Sequence, residues 1–326
     1  MRAGWYERPG PAYDVITVGE MPTPEPGPGE VRVRLHASGI SPSDYKRRAS
    51  AKGGMEFPRI VPHSDGAGVV DAVGDGVTGF RTSDRVWVMD AQFRRPYGTA
   101  AEYVVLPEAK VASLPDNVPF EIGACLGIPA MTAHRAVFLD GPVEGRTVLV
   151  TGGSGRVAHS AIQLAAIGGA RVIATASSPE KAEAARAAGA VHVVDRGADV
   201  ASAVLEFTDG EGVDRVVEVE FGANLDTNQK ILKDGGAIAS YASSQVPQAL
   251  VTVTPRRALN ATIHFIYCYT MPADAKTAAA RDINRALANH GFTPRVARTF
   301  SLESLAEAHA FAESSSGEGQ VVVTIA

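Results

Sequence analysis

Hydrophobic positions in the first third of the chain fall into short alternating or β-branched runs at 31–35, 67–73, 85–89 and 101–106, each bounded by Gly, Pro, Ser or Asp. Runs of this length and period predict strands. Short strands joined by close turns predict a small, mostly β, barrel-like unit. The stretch PTPEPGPG at 22–29 is a turn-rich connector, too short to link domains.

Near residue 120 the pattern changes. The apolar run TVLV at 147–150 predicts a strand, followed by a glycine-rich turn and a helical stretch at 157–167. A second strand is predicted at 171–176. The next helix, 179–188, has Ser178 as N-cap, Pro179 at its first position and Gly189 past its end. Strands at 191–195, 213–219 and 237–241, with helical stretches at 198–207 and 224–232 between them, extend the alternation. That order predicts an α/β unit with a doubly wound parallel sheet. A helix at 275–289 and a closing strand at 321–325 complete the chain.

The 326 residues suffice for two domains, at roughly 100–200 residues each. A composition of 45% hydrophobic and 21% charged residues is that of a soluble globular protein. The net charge of −5 gives no bulk attraction for nucleic acid or anionic membranes, so a phosphate-bearing ligand needs a local site. Two distant cysteines, Cys125 and Cys268, exclude a disulfide framework and suit a reducing compartment, the cytoplasm. The N-terminal residues lack the apolar core of a signal peptide, and no apolar run reaches the ~18 residues of a membrane span.

The turn Thr151-Gly152-Gly153-Ser154-Gly155-Arg156-Val157 joins a predicted strand to a predicted helix. Glycines let a pyrophosphate approach the backbone, and the helix start offers free N–H groups and a positive dipole end. Gly152, Ser154, Gly155, Arg156 and Val157 are therefore candidate dinucleotide-binding residues. NAD sites usually end the second strand with an acid that accepts from the ribose hydroxyls. Here Thr175-Ala176-Ser177-Ser178 stands in that place, with Lys181 and Arg196 nearby. Hydroxyls and cations without a carboxylate suit a 2′-phosphate, which points to NADPH. The bland alternative leaves Lys181 and Arg196 as solvated surface charges. Phe221, Tyr241 and Phe265 complete the candidate cofactor set.

Several segments, taken in order, resemble the medium-chain dehydrogenase/reductase family over essentially the whole chain. They are Gly39-Ile40-Ser41-Pro42-Ser43-Asp44-Tyr45, Pro62-His63-Ser64-Asp65-Gly66-Ala67-Gly68-Val69-Val70 and Val73-Gly74. Gly98-Thr99-Ala100-Ala101-Glu102-Tyr103, Gly127-Ile128-Pro129-Ala130-Met131-Thr132-Ala133 and the Gly152 turn follow. The resemblance is to the zinc-free quinone oxidoreductase branch. It implies a GroES-like catalytic domain at 1–121 and 268–326, a Rossmann domain at 122–267, an active cleft between them and a homodimer.

The family's zinc enzymes bind catalytic zinc through Cys, His and Cys, and the aligned positions here are Ser41, Ser64 and Ile128. Two hydroxyls and an isoleucine cannot replace thiolates and imidazole around zinc. His63, one residue from a ligand position, is read as a hydrogen-bonded active-site or loop histidine. The resemblance places Thr132 near the nicotinamide carboxamide and Ser41, Ser43 and Tyr45 on a loop facing the nicotinamide, where a hydroxyl can donate to a developing oxyanion. Arg156 stands where relatives often carry glycine; it either crowds the pyrophosphate or pairs with it, and a cation at a helix start favours pairing. The expected activity is hydride transfer from NADPH to a quinone or related electrophilic carbonyl. An enoyl or alkenal reductase and a non-catalytic, crystallin-like NADPH-binding protein are the alternatives.

Overall fold

The computed structural model describes residues 1–50, 54–251, 260–289, 291–314 and 318–325. The chain divides into two compact units, Met1–Pro129 with Pro272–Ala326, and Ala130–Met271. In chain order the first unit opens with β1 (Arg2–Trp5), α1 (Ala12–Val15), β2 (Thr17–Glu20), β3 (Glu30–Ile40), α2 (Pro42–Ala49) and β4 (Asp65–Val73). It continues with β5 (Arg85–Val88), β6 (Tyr103–Pro107), β7 (Val111–Ser113) and α3 (Phe120–Gly123). The second unit holds α4 (Met131–Phe138), β8 (Thr147–Val150), α5 (Arg156–Ile167), β9 (Arg171–Ala176), α6 (Pro179–Ala187) and β10 (His192–Asp195). Its remaining elements are α7 (Val200–Phe207), β11 (Val213–Glu218), α8 (Phe221–Ile231), β12 (Leu232–Ser240) and β13 (Thr262–Phe265). The chain then returns to the first unit with α9 (Ala273–Asn289), β14 (Val296–Ser301), α10 (Leu305–Ser314) and β15 (Gln320–Thr324).

The first unit is built on β3. Its alternating Val31, Val33, Leu35 and Ala37 point inward while Arg32 and Arg34 point away. Register shifts at Arg32/Val33 and Leu35/Ala37 bend the strand, which pairs antiparallel with β4, β6 and β15. The sheet runs β14-β15-β3-β4-β5-β7, with β6 also on β3. Val31, Val33, Leu35, Val70, Val86, Val88, Val104 and Leu106 share one core. Each fully buried side chain of this kind contributes about 1.5–3 kcal/mol.

In the second unit six parallel strands run β10-β9-β8-β11-β12-β13. The chain winds from β8 outward to β10, returns beside β8 and winds the other way through β13. All four residues of β8 are buried, as expected of a strand covered on both faces. The reversal lies between β8 and β11, and in open α/β sheets the crevice beyond the strand ends at such a point is where ligands bind.

The structure departs from the hydrophobic pattern in several places. Residues 42–49 are helical rather than a loop: Pro42 takes the first helical position and the Asp44 carboxylate accepts the Ser41 N–H at 2.7 Å. Strand β12 starts at Leu232, earlier than the 237–241 run indicated, and α8 at Phe221. Strands β13 and β14 have few buried positions and show no clear alternation. Helix α10 was not anticipated either; it buries Leu305, Ala308, His309 and Ala312.

A directional chain of hydrogen bonds crosses the interior of the first unit. The Arg48 Nε–H donates to His309 Nδ1 (3.4 Å), and the two histidines meet through their Nε2 atoms (2.9 Å). His63 Nδ1 meets Ser38 Oγ (2.7 Å), Ser38 meets Thr99 Oγ1 (2.7 Å), and Thr99 donates to the Asp65 carbonyl (2.6 Å). An arginine can only donate and a carbonyl can only accept. His309 therefore carries its proton on Nε2 and His63 on Nδ1. These bonds hold His63 in the left-handed region, at φ 77°, which costs a non-glycine residue about 1–3 kcal/mol.

Both imidazoles are held neutral: burial pushes His63 down to about 3 and His309 well below the ordinary histidine value of 6.5. Below 6.5 the unfolded chain takes protons that the folded one refuses. Stability is therefore full above 6.5 and is lost as pH falls toward the folded values, by at most about 1.4 kcal/mol per pH unit for each histidine. His309→Gln, whose amide does not titrate, should melt at a lower temperature than wild type at pH 7 but lose less between pH 7 and pH 5. Thermal unfolding at several pH values checks this, and parallel losses in the two proteins would refute it.

Candidate active site

The turn from β8 to α5 lies at the sheet reversal. Gly152 sits at φ +68°, a conformation glycine adopts without strain. A Cβ on Gly153 would lie 3.1 Å from the Ala174 and Ala185 methyls and 3.2 Å from Ile162 Cδ1, so the turn is pressed onto β9 and α6. Thr175, buried on β9, holds it from below: its hydroxyl accepts the Gly152 N–H at 3.0 Å and its carbonyl the Gly153 N–H at 2.8 Å. Gly155 is the N-cap of α5 and brings no side chain to cap it, while Arg156 and Val157 form the first helical positions, half-buried. Ser154 is buried in the turn.

Glu218, the last residue of β11, is fully buried and was missed by sequence reasoning. Its Oε1 accepts from Thr151 Oγ1 (2.9 Å), the Glu220 N–H (2.6 Å) and Asn224 Nδ2 (2.9 Å), and its Oε2 from Asn228 Nδ2 (2.6 Å). Thr151 Oγ1 in turn accepts the Val219 N–H at 3.0 Å. Four donors answer the buried charge and lock the ends of β8 and β11 to α8. The available signal was an acid closing an otherwise apolar parallel strand. Tyr241 donates its N–H to the Glu218 carbonyl at 3.1 Å, and burial, with the Glu218 charge, holds its phenol far above the usual range.

At the end of β9, Ser177 is exposed and Ser178 caps α6 by accepting the Lys181 N–H at 3.3 Å. Lys181 is half-buried in the first turn of α6. Exposed Arg196 donates its N–H to the Ala176 carbonyl at 2.7 Å, which brings it beside Ser177. Phe221 and Phe265 meet edge to face with ring centres 5.3 Å apart; Phe221 is buried and Phe265 is 75% exposed. Thr132 is buried in the first turn of α4.

Ser41, Ser43 and Tyr45 belong to the first unit. Ser41 is buried: its hydroxyl donates to Asp65 Oδ2 and accepts from Gln320 Nε2, both at 3.4 Å. Ser43 and Tyr45 are half-buried on α2, and Tyr45 packs against a core that includes Ile40, Val61 and Leu305. Asp65 is fully buried, and its Oδ1 accepts the Ile128 N–H at 2.9 Å. Burial outweighs these bonds and holds its carboxyl well above the usual carboxylate range. The positions aligned with zinc ligands thus carry two buried serines and an isoleucine whose N–H is engaged. This donor set does not fit zinc. Among the described residues no group of three or more His, Cys, Asp or Glu is arranged to hold a metal ion.

Thr175→Val keeps the shape of β9 and removes the acceptor of the Gly152 N–H. Stability should fall by about 0.5–1.5 kcal/mol, the net contribution of one such bond to a half-buried donor. Denaturant unfolding measures this; an unchanged midpoint would show that the turn does not depend on the threonine.

Residues 27–116 match the alcohol dehydrogenase GroES-like domain, and residues 157–283 match the zinc-binding dehydrogenase family. A quinone oxidoreductase of Pseudomonas aeruginosa is 35% identical over 68% of each chain. A zinc-type alcohol dehydrogenase-like protein of Schizosaccharomyces pombe is 30% identical over 96% of each chain. Among solved structures, an NAD-dependent alcohol dehydrogenase superposes with TM-score 0.86 at 32% identity over the whole of both chains. A mycobacterial protein solved with NADPH superposes with TM-score 0.85 at 27% identity, covering 99% of this chain and all of that one. A 2-haloacrylate reductase gives 0.85 at 27% identity, covering 99% of both. With its β-rich unit, parallel sheet and glycine turn, the chain belongs to the medium-chain dehydrogenase/reductase family of oxidoreductases, in the quinone oxidoreductase branch.

Proposed function

We propose that the protein is an NADPH-dependent, zinc-independent reductase that delivers hydride to a quinone or similarly electrophilic carbonyl. The observation that carries this reading is the donor set at positions 41, 64 and 128. Without a Lewis acid the acceptor must already be electrophilic, as quinones are, and relatives named quinone oxidoreductase support that class. NADPH, when bound, supplies the hydride.

In this reading the backbone of Gly152, Ser154, Gly155 and Val157 cradles the pyrophosphate, with Arg156 pairing to it. Ser177, Lys181 and Arg196 answer the 2′-phosphate, and the NADPH complex of a structural neighbour supports that choice. Thr175 supports the turn, Thr132 orients the carboxamide, and Phe221, Tyr241 and Phe265 border the cofactor. Ser43 and Tyr45 are the oxyanion donors, while Ser41, being buried, acts from behind them. The similarity to a 2-haloacrylate reductase supports a second reading, reduction of an activated C=C bond. We place the protein in the cytoplasm as a homodimer, with the β13 edge of the described sheet as the surface for a second copy.

NADPH consumption with a panel of quinones, enones and simple alcohols and ketones tests the assignment. Quinones or enones should be reduced, simple carbonyls should not, and chelators should leave the rate unchanged. Stoichiometric zinc removed together with activity would end the reading.

The cofactor assignments separate by titration. Lys181→Ala should weaken NADPH roughly tenfold or more and leave NADH alone, since one charge-assisted contact contributes about 1.5–3 kcal/mol. Arg156→Gly should weaken both cofactors alike, because both carry the pyrophosphate. Equal wild-type affinities for NADPH and NADH would refute the 2′-phosphate site, and unchanged binding in Arg156→Gly would refute the arginine's role.

A further inference from the structure

In the first unit two of the places aligned with metal ligands, Ser41 and Ile128, are joined through one buried carboxyl. We propose that Asp65 is a positioning residue, a buried strut that ties the start of α2 to the 126–130 turn and so holds in place both the donor-bearing helix and the turn that leads to Thr132. The proposal rests on the reading of α2 as the donor-bearing helix and of Thr132 as a nicotinamide contact.

Three observations carry it. First, the side chain bridges two segments: Oδ2 accepts from the Ser41 hydroxyl (3.4 Å) and Oδ1 from the Ile128 N–H (2.9 Å). Ser41 is the N-cap of the helix that carries Ser43 and Tyr45. Ile128 lies in the π-helical turn Leu126–Ala130, which runs directly into α4 and Thr132. Second, the sequence makes room for the carboxyl. A Cβ on Gly127 would lie 2.1 Å from Asp65 Oδ1, so the turn passes the carboxyl only because position 127 has no side chain. Third, the strut has a fixed base. The Asp65 backbone pairs with Gly39 across β3 and β4, and its carbonyl accepts from Thr99 at the end of the chain of bonds that begins at Arg48. Gln320 Nε2, reaching Ser41 Oγ from β15, completes the hydroxyl's setting.

A carboxyl held this way transmits position without touching the reactants. Its two bonds can be broken separately. In Asp65→Asn the amide oxygen still accepts the Ile128 N–H, but the NH2 group can only donate where Oδ2 accepted, so the Ser41 O–H loses its acceptor and must turn away from position 65. In Asp65→Ala both bonds are lost.

The test uses the full chain with three readouts: melting temperature, NADPH affinity by fluorescence titration, and kcat and KM with the best quinone of the panel. Asp65→Asn should bind NADPH as wild type does and lose kcat by roughly tenfold, with little change in KM, as expected when a reacting group is misplaced by a fraction of an ångström. Asp65→Ala should lose kcat further and also weaken NADPH several-fold. Asp65→Ala with wild-type affinity and kcat would overturn the proposal. So would equal losses in both variants that follow the melting temperature alone. If the wild type binds NADPH but reduces no acceptor, the function assigned above fails. The NADPH affinities of the two variants then still decide whether Asp65 holds the 126–130 turn.

Discussion

Arg48 can only donate hydrogen bonds and the Asp65 carbonyl can only accept them, and between these ends the first unit buries two histidines, a serine and a threonine in a single file. Polar groups removed from water must be answered by neighbours at the cost of about 1–3 kcal/mol each if they are not. Here every answer depends on the one before it. The file joins α2, α10, β3, β4 and the segment before β4, so the positions of these elements are set together. Arg48 makes the same point at its own end: its guanidinium also reaches the Gly10 carbonyl and pairs with Glu313 at 2.6 Å. The Glu218 cluster does corresponding work in the second unit, where one carboxylate collects four donors from the ends of two strands and a helix.

In the proposed function the chemistry falls to groups at the margins of these clusters. The glycine turn is held by Thr151 and Thr175 from within, so the backbone that faces outward at the start of α5 is preorganised for an anion. In the first unit the half-buried hydroxyls of α2 stand on a helix whose N-cap, Ser41, is fixed by Asp65. In the proposed reduction, preorganised donors of this kind would stabilise a charge as it develops because they need not rearrange to meet it.

Much of this was legible in the sequence, for reasons that also explain what was not. The parallel sheet declared itself through apolar runs spaced by helices, and the Ser178-Pro179 start of α6 through its capping chemistry. The segment 42–49 read as a loop because Pro, Ser and Asp are turn residues as well as helix starters, and only the Ser41–Asp44 bond decides between these uses. Thr175 read as a phosphate donor because its place at the strand end is visible in the sequence, whereas the Gly152 N–H above it is not. The His63–His309 contact spans 246 positions, and no local pattern announces such a pair. Asp65 lies inside the Pro62–Val70 motif, yet its partners Ser41 and Ile128 come from distant segments.

Gly127 and Asp65 illustrate how such a contact constrains descent. A side chain at 127 would collide with the carboxyl at 65, and a shorter residue at 65 would leave the Ile128 N–H without its acceptor. Each single replacement is therefore penalised in the background of the other. Lineages that leave this arrangement must change both positions nearly at once or pass through a weakened intermediate. In homologous chains the two sites should drift as one character, with glycine at the first wherever an acid occupies the second.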